Sequence, residues 1–233
     1  MEEKIVNNQK YFNFKLYLTG IKELIGLNVI TLFLLFLDFY TLKLSEWDVN
    51  SQMLTPYLVA MFAHVILIPA MAIYIYEYVT NPSKFNSSKY SKTSVVISFT
   101  MSLLTCSLIM TLNIIPSLVC SNWPNKILYF IGFLSAYTFV VTAFFLAWTL
   151  AKNLLAFIGI SLAILILPLV IIVVYQISPS LDYEHISCLF NSEYTLHNMR
   201  TYDYSYVPGI IFTLAFSFIF ILAGVKILRK NNK

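Results

Sequence analysis

The first residues to weigh for chemistry are the histidines. Only His64 falls inside a long apolar run, AMFAHVILI, while His185 and His197 sit in a polar stretch near the C-terminal third. Nucleophilic or metal-assisted catalysis needs several such groups to converge. The chain has no H-E-x-x-H and no G-x-S-x-G. A haem held between helices would need a second histidine inside an apolar segment, and there is none. Asp38 is the other ionisable group within such a segment, near its end and without an evident cationic partner. Polar side chains in lipid face a bundle or a cavity. His64 therefore reads as a histidine hydrogen-bonded to a neighbouring helix, and His64 and Asn113 are also the candidates for lining a substrate path. The three cysteines fit no zinc or redox spacing. Cys106 reads as a packing residue, and Cys120 and Cys188 remain open to a disulfide. No catalytic constellation and no metal site is expected. The P-loop pattern G-x-x-x-x-G-K-[ST] is also missing from a chain with only 6 glycines.

The elements that must position these groups are apolar. Of 233 residues, 59% are hydrophobic and 11% charged, against about 25% charged in a soluble domain. An all-α, polytopic membrane protein of one domain, residues 1–233, is the reading, with six spans at about 24–40, 54–78, 93–115, 127–148, 154–177 and 207–228. Each approaches the roughly 20 residues that cross ~30 Å of hydrocarbon as a helix. The 154–177 run carries no charge and is mostly Leu, Ile, Val and Phe, so its insertion is favoured by roughly 5–10 kcal/mol. A barrel would need alternating polarity, which is lacking. Residues 9–23 read as an interfacial lead-in helix. The first span is expected to be retained, since no cleavable signal pattern precedes it. Pro69 and Pro168 predict kinks.

Lysine and arginine set the orientation. With the N-terminus inside, twelve of the 15 basic residues fall on inner segments. Lys43, Lys126 and Arg200 alone fall outside. Both ends are then cytoplasmic, and the net charge of +4 reflects topology rather than nucleic acid. The wealth of Asn, Lys, Ile and Ser suits a low-GC Gram-positive bacterium, in whose cell membrane an external disulfide between Cys120 and Cys188 would be unusual.

One inner segment stands out, EYVTNPSKFNSSKYSKTS at 77–94. Pro82 restrains the exit of the preceding helix, and Ser83 or Ser87 is placed to cap a short helix. Phe85 and Tyr90 offer apolar anchors to a groove, and Lys84, Lys89 and Lys92 offer a basic rim. The simpler reading is that the lysines fix orientation and meet anionic headgroups.

The layout resembles the permease subunits of ABC-2-type (type V) exporters. The lead-in YFNFKLYLTGIKEL, the inner stretch EYVTNPSKFNSSKYSKT and the outer stretch LDYEHISCLFNSEYTLHNM stand where that family has a lead-in helix, a coupling helix and short re-entrant outer helices. The resemblance implies docking of a separate cytoplasmic ATPase on Glu77, Asn81, Pro82, Lys84, Phe85, Ser87, Ser88, Lys89, Tyr90 and Lys92. It also implies two ATPase copies that bind the ATP and Mg, a second permease copy or homologous permease, and surrounding membrane lipid. The cargo would be a hydrophobic or amphipathic peptide, antimicrobial or toxin-like, exported or cleared in self-immunity. The alternative is a membrane assembly or sensor subunit that binds a partner through its outer loop.

Overall fold

The computed structural model describes residues 11–44, 66–86, 89–112, 126–164 and 206–231. These form six α-helices: α1 (Phe14–Leu44), α2 (Ile68–Thr80), α3 (Lys92–Leu112), α4 (Lys126–Leu150), α5 (Leu154–Ile164) and α6 (Tyr206–Asn231). No strand occurs among the described residues. Two helices, over Lys92–Thr111 and Phe130–Leu150, are long and apolar enough to cross a membrane. Residues 54–65 and 165–177, Pro168 and the outer stretch between 178 and 205 lie outside the described residues.

The lead-in is not a separate element. It continues without a break into the first apolar run as the 31-residue α1. Asn13 starts it: its Oδ1 accepts from the backbone N–H of Lys15 at 3.0 Å and of Leu16 at 3.3 Å, an N-cap for donors that the first turn leaves unpaired. Pro69 lies in the first turn of α2, directly after a π-helical turn at Ile66–Leu67; whether the helix kinks there turns on residues before 66, which lie outside the described residues.

One hydrophobic core joins all six helices. It includes Leu16 and Leu24 of α1, Met71 and Ile75 of α2, Phe99 of α3, Tyr137 and Phe144 of α4, Phe157 of α5 and Leu228 of α6. Apolar side chains also cover the outside, among them Phe14, Leu18, Ile25, Val29 and Phe33 on α1 and Ile211, Leu214, Phe218 and Leu222 on α6.

The seam between α1 and α3 is polar and close. Ser98 Oγ accepts from the Asn13 N–H at 2.9 Å, Ser102 Oγ donates to the Tyr17 carbonyl at 2.7 Å, and Tyr17 Oη lies 3.1 Å from Thr105 Oγ1. Gly20 makes the approach possible. A Cβ there would fall 2.7 Å from Ser102 Cβ and 2.9 Å from Phe99 Cδ1. Small residues at a helix crossing let backbones close in where lipid supplies no hydrophobic drive. Asn28 is buried on the same face of α1, one turn beyond Leu24. Residue numbers rise together on both helices, so α1 and α3 run parallel.

A glycine also shapes the contact of α6 with α4. Phe139 faces Phe220 at 5.7 Å between ring centroids, and a Cβ on Gly224 would meet Phe145 Cδ1 at 3.0 Å and Cζ at 3.1 Å. These two helices are parallel as well. Gly224→Leu is expected to destabilise the bundle by about 1–3 kcal/mol, the usual range for overpacking. Gly159→Leu, where an added Cβ meets nothing within 4 Å, should change little. Thermal unfolding of the two variants in detergent checks the contrast.

Buried hydroxyls elsewhere look inward to their own helices. Ser107, Ser135, Thr142, Thr149, Ser161, Thr213 and Ser217 donate to carbonyls three or four residues back. That satisfies each donor without a partner helix and explains how such residues sit in apolar surroundings.

Candidate functional site

The end of α2 is tied to the end of α4 and the start of α5. Tyr76 stacks on Phe157 at 4.2 Å, with 7° between the rings, and meets Trp148 edge-on at 5.6 Å. Together with the parallel pairs, this brings the starts of α1, α3 and α5 and the ends of α2, α4 and α6 to one end of the bundle. Lys15, Lys84, Lys89, Lys92, Lys152, Arg229 and Lys230, all exposed, belong to that end.

The α2–α3 turn is built there from short-range chemistry. Asn81 Oδ1 accepts from Ser83 N at 3.0 Å and Ser83 Oγ at 2.7 Å, and the Asn81 carbonyl accepts from the backbone N–H of Lys84 and Phe85. This is an Asx turn with Pro82 at the position that its fixed φ favours. Asn81 N–H in turn donates to the Glu77 carbonyl and closes α2. The expected capping role of Ser83 is thus corrected: Ser83 completes the turn, and Ser91 caps α3 by accepting from Ser94 N at 3.1 Å. Among the described residues between Asn81 and Ser91 none is α-helical: residues 82–84 form the turn and Lys89 stands in a 3₁₀ turn.

The rings face inward. Phe85 lies parallel to Tyr90 (5.9 Å, 12°), edge-on to Phe99 (5.6 Å, 89°) and tilted against Tyr78 (5.9 Å). Such pairs are worth about 0.5–1.5 kcal/mol beyond their burial. Phe85 and Tyr90, expected as apolar anchors for a partner groove, are half-buried against the chain's own core. Four aromatics from α2, the turn and α3 hold one another.

What remains outward is polar. Glu77, Pro82, Ser83, Lys84, Lys89 and Lys92 are exposed. Lys84 Nζ pairs with Glu77 Oε1 at 2.9 Å, both side chains nearly half exposed. The hydrogen bond to Glu77, reinforced by its charge, holds the Lys84 ammonium above the ordinary lysine range. The pair's contribution is therefore complete below the unfolded lysine pKa and lost as pH rises through the folded one. In water it is screened and serves geometry more than stability. Tyr74 Oη donates to Glu23 Oε2 at 3.0 Å and links α2 to α1 beside this pair.

Ser87, Ser88, His64, Asn113, Cys120 and Cys188 lie outside the described residues. Cys106 is fully buried in the α1–α3 seam. Among the described residues no group of three or more metal-ligating side chains occurs. Sequence reasoning missed Gly20, Ser98, Ser102, Tyr78 and Phe99. The small residues Ser94, Ser98, Ser102 and Cys106 recur at every fourth position of α3, which is the signal that a close helix crossing leaves.

No protein-family model, curated protein or solved structure matches the chain.

Proposed function

We propose that the chain is the membrane-spanning permease subunit of an ATP-driven exporter, crossing the cell membrane six times with both ends in the cytoplasm. A separate ATPase works on the α2–α3 turn, and the cargo is a hydrophobic or amphipathic peptide. The observation that carries the reading is the turn itself. A proline-braced Asx turn, stapled by four rings to two helices and surrounded by exposed lysines, is a rigid basic knob at one end of a helical bundle.

Further observations support it. The apolar outer faces of α1 and α6 suit lipid, because a soluble monomer rarely leaves so much contiguous apolar surface bare. The helix directions agree with alternating spans in which the first and third run outward and the second, fourth and sixth run inward. The clustered lysines and arginine then fall on the cytoplasmic side. The exposed rim is basic, with Glu77 already paired to Lys84, so the ATPase surface that receives it is acidic. Affinity purification in mild detergent, with identification of the bound chains, tests the reading: an ATPase subunit carrying Walker motifs is expected.

A further inference from the structure

We propose that Phe85 is a positioning residue that makes the α2–α3 turn, α3 and the first turns of α1 a single mechanical unit. The proposal rests on the reading of the turn as the partner-facing surface, but its physical content is a contact chain within this protein. Phe85 touches Tyr78 at the end of α2, Tyr90 in the turn and Phe99 in α3. Phe99 is fully buried, and its ring edge lies where a Cβ on Gly20 would stand. The same stretch of α1 is fixed to α3 by Asn13 to Ser98 and by Ser102 to Tyr17.

The order of these contacts matters. A push on the exposed residues Pro82, Ser83 and Lys84 cannot be absorbed by local bending. Asn81 closes the turn onto Glu77, and the Phe85 ring fills the angle between α2 and α3. It passes to Phe99, whose ring has α1 backbone behind it at Gly20 and no side chain that can swing away. Packed interfaces shift as bodies rather than deform continuously. The turn therefore moves α1 together with α3. Without the Phe85 ring, the turn keeps its Asx hydrogen bonds and α2 keeps the direct Tyr78–Phe99 contact at 6.2 Å, but the turn loses its own ring against Phe99.

Hydrogen–deuterium exchange on the purified full chain in detergent reads this directly, and independently of any ATPase. In Phe85→Ala, exchange at Lys84 and Phe85 is expected to rise at least tenfold, and exchange over Lys15–Gly20 of α1 at least threefold. Lys89→Ala, which removes an exposed side chain of the same turn, should leave both segments as in the native chain. If Phe85→Ala is not recovered folded, Phe85→Leu keeps the apolar bulk without ring stacking, and smaller increases in both segments are expected. Faster exchange in the turn with α1 unchanged would overturn the proposal, as would no change in either segment. Loss of ATPase co-purification through the lysine rim, with the exchange pattern intact, would instead bear on the docking reading alone.

Discussion

Gly20→Leu is expected to loosen α1 from α3 and lower the stability of the folded bundle by about 2–4 kcal/mol. Two effects contribute. Overpacking costs about 1–3 kcal/mol when a filled site must take extra carbons. Here the nearest atom is Ser102 Oγ, which can rotate away, but Ser102 Cβ and Phe99 Cδ1 stand behind it at 2.7 and 2.9 Å from even the first added carbon. Neither is the tip of a flexible side chain, so the helices must part. Parting stretches the Ser102–Tyr17 and Tyr17–Thr105 hydrogen bonds, each worth about 0.6 kcal/mol between helices in a membrane. Scaled as for soluble proteins of this length, the loss corresponds to roughly 4–16 °C in Tm. Gly26→Leu is the control, because a Cβ there meets nothing within 4 Å and leucine is the better helix former. Equal melting temperatures for the two variants would refute the close crossing.

Tyr76→Ala is expected to have an effect of similar size at the other junction. Tyr76 is 2% exposed and lies between Phe157 and Trp148. Truncating a buried aromatic to alanine costs about 3–5 kcal/mol in soluble cores. On the proposed membrane reading the transfer part of that figure falls away, because the unfolded reference is also apolar. The ring contacts and the cavity remain, and a loss of about 2–3 kcal/mol is the working figure. The variant should also free the start of α5, where Phe157 would lose its stacked partner, so exchange should quicken first over residues 154–161. Tyr76→Phe keeps the ring and should retain the native melting temperature.

The apolar architecture was legible because helix boundaries follow the change from polar to apolar residues. The third, fourth and sixth runs, expected to start at 93, 127 and 207, begin at Lys92, Lys126 and Tyr206. The interfacial lead-in expected over residues 9–23 is continuous with the first apolar run. The buried line Leu16, Gly20, Leu24, Asn28 holds a glycine and an amide, and its logic appears only beside the serines of α3. The turn was legible in position but not in construction. Asn81-Pro82-Ser83 announces a turn. That Phe85 and Tyr90 point back onto Tyr78 and Phe99 depends on the angle between α2 and α3, which spacing along the chain does not encode. An exposed aromatic and a half-buried one have the same letter.

These points bear on how docking is best probed. Removing Phe85 or Tyr90 would disturb the chain's own packing together with any partner contact, and Lys84 holds Glu77. Lys89 and Lys92 are cleaner probes, being exposed. Lys92 lies in the first turn of α3, where a glutamate is favoured by the helix dipole, so reversing its charge should not harm the fold.

The decisive measurement is affinity purification of the full chain from membranes in mild detergent, with identification and quantification of what is bound, for the native chain and for Lys89→Glu/Lys92→Glu. The account predicts an ATPase subunit with Walker motifs on the native chain, and at least a tenfold loss of it on the variant at unchanged yield and melting temperature of the chain itself. Purification of the native chain with no ATPase, or equal recovery of the ATPase on native and variant chains, would contradict it.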